Sequence, residues 1–142
     1  MIGRALAGLA AVGALALTAG TPAAGKGTRS GVYRTDQADE GARVYAAQCA
    51  MCHGARLEGT VETPGLTGKF VANWAGRPLG DLFDYLARAM PQSSPGKLTA
   101  EDDARLLAFI LQVNGAPAGD APLPASAAAL ERMTFDPLDL ES

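Results

Sequence analysis

The chain has 142 residues, a formal net charge of −3, 48% apolar residues and only 6% aromatic residues, with 17 glycines and 9 prolines. That length corresponds to one domain with a modest core, and the acidic balance argues against a nucleic-acid partner, because phosphate binding needs a basic surface. Few aromatic residues among many Ala, Gly and Pro suit a small helical protein with long irregular connections.

Met1 to about Ala24 carries a single Arg4, then the apolar run Ala5 to Thr18 and then small residues, the layout of a secretory signal peptide cleaved near Ala23. Residues 1–24 are therefore read as a signal peptide and the mature protein as an exported, periplasmic one. The apolar run is shorter than the ~20 residues that span a bilayer, so membrane attachment is expected only if this segment stays uncleaved. Residues 25–35 show no periodicity and read as a flexible lead-in.

A folded domain is expected over 36–119. Asp36 can cap a helix running to about Cys49, with Gly41, Tyr45 and Cys49 on one face and the glycine allowing another backbone to come close. Gly54 to Arg77 is rich in Gly, Thr and Pro and reads as a long loop with one short helical turn near Gly68 to Trp74. Leu79, Leu82, Phe83, Leu86, Ala87 and Met90 follow the i, i+3, i+4, i+7 pattern, predicting a helix over 79–89 that Pro91 stops.

Thr99 and Asp102 form a capping-box-like start for a helix to Val113 that buries Leu106, Leu107, Phe109, Ile110 and Val113 before Asn114-Gly115 closes it. Residues 120–142 read as an extension, with a short helix within Ser126 to Met133 and a loose acidic end. No segment alternates like a strand, so the fold class is all-α.

Cys49-Ala50-Met51-Cys52-His53 is the C-x-x-C-H pattern of covalent haem attachment. Two thiols one helical turn apart can each form a thioether with a vinyl group of one porphyrin. The next residue then sets an imidazole beneath the iron, which makes His53 the proximal ligand. Three other readings fit less well. A thioredoxin-type pair would need a βαβ context, a disulfide over so short a loop gains little entropy, and a zinc site would have only two Cys and one His to draw on.

His53 is the single histidine, so bis-histidine ligation within one chain is excluded and a methionine is the natural sixth ligand. Met1 leaves with the signal segment, Met51 is directed away by its own short loop, and Met133 lies in the expected surface tail. Met90, at the end of the apolar helix, is the candidate, with core packing as its alternative role.

Taken together, Gly41 and Tyr45 before Cys49–Gly54, Pro64-Gly65-Leu66-Thr67-Gly68, Met90-Pro91 and the capped helix carrying Phe109 resemble class I c-type cytochromes over roughly Asp36 to Gly119. The resemblance implies a few helices around one haem c, with the first and last helices crossing where Gly41, Tyr45 and Phe109 meet. It implies that the carbonyl of Pro64 accepts a hydrogen bond from the proximal imidazole. It also implies that Trp74 packs near a haem propionate or serves as plain core, and that Arg77 is a weaker propionate partner. The runs Met90 to Leu98 and Leu111 to Gly119 resemble cytochromes that accompany quinoprotein dehydrogenases.

An iron closed by His53 and Met90 points to an electron carrier, not an enzyme, taking electrons from an exported dehydrogenase donor and passing them to a cytochrome or oxidase acceptor. The partners are expected to meet a monomer in transient complexes. The alternative is a haem enzyme or gas sensor with a displaceable sixth ligand.

Overall fold

Helix α1 (Thr35–Gln48) and helix α5 (Ala100–Val113) cross at Gly41, where a Cβ would overlap the carbonyl oxygen of Arg105 and crowd the Cβ of Phe109. Only a residue without a side chain lets the two backbones touch there. One turn on, the rings of Tyr45 and Phe109 pack at 5.4 Å between centroids, as the resemblance implies. This computed structural model describes residues 25–137, so the proposed signal peptide lies outside the described residues, as do residues 138–142. Between the two long helices come α2 (Ala50–His53), α3 (Lys69–Trp74) and α4 (Leu79–Ala89), and α6 (Ala127–Leu130) follows. The fold is all-α: among the described residues there is no strand, only two isolated bridges at Thr134. Nor is any described helix long and apolar enough to cross a membrane.

Local chemistry explains most boundaries. Thr99 caps α5 by accepting from the Asp102 amide at 3.1 Å, and Ser126 does the same for α6 with Ala129. Helix α4 ends at Met90, ahead of Pro91, and buries Leu79, Leu82, Phe83 and Leu86. Asp36 is not the cap expected of it. Helix α1 starts two residues earlier, after Arg34, and Asp36 in its first turn accepts two hydrogen bonds from the Arg34 guanidinium. Val113 is also corrected: it is exposed, because the buried face of α5 runs through Leu107, Ile110 and Leu111.

The largest departure from expectation lies at the ends. Residues 25–35 are not a flexible lead-in. Thr28, Val32 and Tyr33 are buried, and Tyr33 donates its hydroxyl to the Ala116 carbonyl at 2.6 Å. The stretch near the C-terminus is equally held, with Leu123, Leu130 and Phe135 buried and Gln37 bonding both the amide and the carbonyl of Leu123. Each segment lacks periodicity alone because it is satisfied by the other and by the helices, not by itself.

Asp103 is the one charged residue of the core, 2% exposed, and its Oδ1 has no hydrogen-bond partner among the described residues. Burial, and secondarily the charge of Asp102, pushes its carboxyl up to about 6 from the ordinary 3.8. A folded-state value above the unfolded one means stability is lost as pH rises from about 4 to about 6 and stays lost at neutrality.

Two outcomes follow for denaturant or thermal melts. Gly41→Ala destabilises by about 2 kcal/mol, since the crossing has to open. Asp103→Asn stabilises by about 1–2 kcal/mol at pH 7, and the gain closes as the pH falls to about 4.

Candidate functional site

Helix α1 hands over to α2 at Cys49, whose amide still donates to the Tyr45 carbonyl at 2.9 Å while its own carbonyl accepts from Cys52 and His53. The single turn of α2 thus sets Cys49, Cys52 and His53 on consecutive corners of one backbone. Gly54, at φ 83°, ends that turn in a conformation a side chain would oppose. The Tyr45 hydroxyl donates to the Gly54 carbonyl at 2.6 Å, tying the turn to the helix crossing. Burial, then the neighbouring Cys49 and Glu58, pushes the Tyr45 phenol up to about 12, so it remains a donor at all ordinary pH.

The loop that follows is tightly bonded. The Gly59 amide donates to the His53 carbonyl at 2.7 Å, Leu66 to Leu57 at 2.9 Å, and Thr60 to Thr63 at 2.8 Å. Leu57 adopts φ 61°, a conformation costing roughly 1–2 kcal/mol for a side chain, and offsets it by burying that side chain fully in the core. The Asn114 amide holds the far end, donating to the Leu66 carbonyl at 2.9 Å and to the Ile110 carbonyl at 2.8 Å.

All of this fixes Pro64, whose carbonyl lies 2.8 Å from Nδ1 of His53. A carbonyl can only accept, so Nδ1 carries the proton and the neutral ring keeps its lone pair on Nε2. This is the tautomer a metal-binding imidazole requires.

The motif opens into a cleft of ≈ 720 Å³, a volume typical of cofactor sites. Its inner wall is apolar, with Leu82 and Leu86 from α4, Leu106 and Ile110 from α5, and Phe70 and Trp74 from α3. Glu58, Glu62, Lys69 and Asn73 stand among its polar lining residues. Met90 lines the same cleft as His53, half-buried at the end of α4, beside Pro91 in a cis peptide. Met51 is 91% exposed, while Met133 packs on the core and is not among the cleft's lining residues. Trp74 lines the cleft and carries the Arg77 guanidinium 4.3 Å above its ring. Arg77 is itself turned to Asp81 at 3.0 Å and lies outside the lining set, away from the propionate role considered for it.

A haem fits these residues: paired thiols one turn apart, an imidazole with Nε2 free, a thioether, and a largely apolar cleft. A zinc site is disfavoured by the donor set, since no group of three or more His, Cys, Asp or Glu side chains converges among the described residues.

Residues 36–110, a little over half of the chain, match the sequence model of the family described as cytochrome c oxidase, cbb3-type, subunit III. The chain belongs to that family and is a class I c-type cytochrome. It binds covalent haem c and works by haem-based electron transfer. Among solved structures it is similar to a chain of the sulfane dehydrogenase SoxCD from Paracoccus pantotrophus, with 27% identity and a TM-score of 0.53 over 69% of this chain. The match covers 52% of the SoxCD chain, so the cytochrome spans about half of its length. No curated protein matches the sequence.

Reading the sequence missed the Tyr45 hydroxyl, the Leu57 conformation and the Asn114 clamp. Only Asn114 left a trace, as a helix terminator. The two cysteines of the cytochrome also differ in a way their shared motif hides. Burial, with help from Asp103 and Cys52, pushes the Cys49 thiol up to about 11, whereas Cys52 is exposed. Iodoacetamide added to haem-free protein at pH 8 should therefore alkylate Cys52 at least tenfold faster than Cys49, read by peptide mass spectrometry.

Proposed function

We propose that this cytochrome is a periplasmic one-electron carrier whose haem is held through thioethers at Cys49 and Cys52 and ligated by His53 and Met90. The observation that carries the reading is the His53–Pro64 hydrogen bond, which leaves Nε2 as the ring's free donor atom in a cleft also lined by the Met90 thioether. The bound haem supplies an iron that exchanges one electron between its ferric and ferrous states.

The residues of the chain do the rest. Pro64 orients the imidazole and raises its basicity, and Met90 offers a neutral soft ligand that favours the reduced form. Leu82, Leu86, Leu106 and Ile110 keep water from the inner wall, which favours the reduced form further. Met51, Pro91, Gln92 and Ser93 lie along the cleft and carry no charge, so partners dock through a small apolar and polar patch in short-lived complexes.

The donor we favour is an exported dehydrogenase of the quinoprotein type, with electrons passing on towards the respiratory chain. Residues 90–98 and 111–119 support it through their likeness to cytochromes that accompany such enzymes. The similarity to a chain of SoxCD, itself a dehydrogenase, supports a dehydrogenase partner in general. Residues 1–24, read as a cleaved signal peptide, support export, and residues 36–119 carry the haem domain ahead of an extension over 120–142.

Optical spectra of the haem-loaded protein test the ligand set. The wild-type reduced spectrum should ignore carbon monoxide, while Met90→Ala should bind the gas stoichiometrically and lose the far-red band of methionine bound to ferric iron. A wild-type spectrum that shifts with carbon monoxide would favour a gas-binding or catalytic haem instead.

A further inference from the structure

Residues 130–136 form a strap outside the stretch that matches the family, and this strap reaches the cleft wall. Its backbone is a rung between two other segments. On one side the amides of Gly76 and Leu79 donate to the carbonyls of Phe135 and Met133 at 2.8 and 2.7 Å, and the Phe135 amide returns a bond to Arg77 at 3.0 Å. On the other, Thr28 and Thr134 are joined by a 3.0 Å bond, Thr134 donates to the Lys26 carbonyl, and the Asp136 amide donates to Oγ1 of Thr28. The side chain carried by this rung is Phe135, 3% exposed. It meets Phe70 edge-on with ring centroids 6.3 Å apart, and Phe70 in turn packs on Trp74 at 6.3 Å. Phe70 and Trp74 line the cleft, and Phe135 does not.

Helix α3, which carries Phe70 and Trp74, has six residues and no side-chain cap at its start. A helix of that length does not hold its own shape and takes its position from what packs behind it. We propose that Phe135 is a positioning residue of the haem cleft, the point through which the C-terminal strap presses the Phe70–Trp74 wall into place and keeps water from the haem. The inference rests on the reading of this cleft as the haem site. A slackened wall admits water, water favours the ferric form with its extra charge, and the midpoint potential falls.

The test compares midpoint potentials and melting temperatures of four haem-loaded variants: Phe135→Ala, Phe135→Leu, Leu123→Ala and Leu86→Ala. Leu123 is a core residue outside the cleft, and Leu86 lines it directly. Phe135→Ala should lower the potential in the same direction as Leu86→Ala, and Phe135→Leu should restore most of it. Leu123→Ala should lower the melting temperature without moving the potential. If Phe135→Ala loses stability but keeps the wild-type potential while Leu86→Ala shifts it, the strap is only a brace and the inference falls, with the cleft reading intact. If Leu86→Ala leaves the potential unmoved as well, the cleft reading itself fails and takes the inference with it. Should Phe135→Ala not yield folded protein, the Leu variant decides: a small downward shift supports positioning, and a wild-type potential with a lowered melting temperature overturns it.

Discussion

The contact between α1 and α5 at Gly41 sets the position of nearly everything else. Because the helices touch backbone to backbone there, Tyr45 comes under Phe109, and its hydroxyl reaches the Gly54 carbonyl just past the C-x-x-C-H motif. The same crossing aims Leu106 and Ile110 into the cleft and brings Asn114 to the loop that carries Pro64. One close approach between two helices therefore governs both the orientation of His53 and the floor of the cleft. Opening it by a single methyl displaces both at once, since close-packed interiors shift as a unit.

The loop between α2 and α3 works by backbone geometry far more than by side-chain chemistry. Most of its bonds run amide to carbonyl, with Glu58 and Thr60 side chains accepting from the Arg56 and Thr63 amides, its glycines take positive φ at positions 54, 59 and 68, and its fully buried apolar anchor is Leu57. The outcome is a carbonyl held 2.8 Å from a ring nitrogen. The contact itself joins an imidazole and a backbone carbonyl, while the Glu58 carboxylate accepts from the Arg56 amide within the same loop. Asp103, on α5, adds to the burial that raises the Cys49 thiol.

The apolar stripe of α4 and the Thr99 cap were legible because each is a local pattern of few residues with one physical meaning. Pro64 was legible only through resemblance, since nothing about a proline in a glycine-rich loop says where its carbonyl points. Val113 was misassigned because the apolar residues of α5 extend beyond the face that is buried. Residues 25–35 and the acidic end after Met133 were read as loose for a deeper reason. Their hydrogen bonds join positions about a hundred residues apart, and pattern along the sequence carries no trace of a partner that far away. The Phe135–Phe70–Trp74 stack was invisible for the same reason, as its rings come from two separate segments.

The rung at Thr134 also imposes an order of events. Thr28 is made early, and the residues it binds, Thr134 and Asp136, come at the very end of the described chain. A chain folded only as far as α1 and α2 has no partner for the segment around Thr28. The girdle formed by these two segments therefore closes only once residues 134–136 have joined it. Closing so long a span costs little more entropy than closing a loop of half its size.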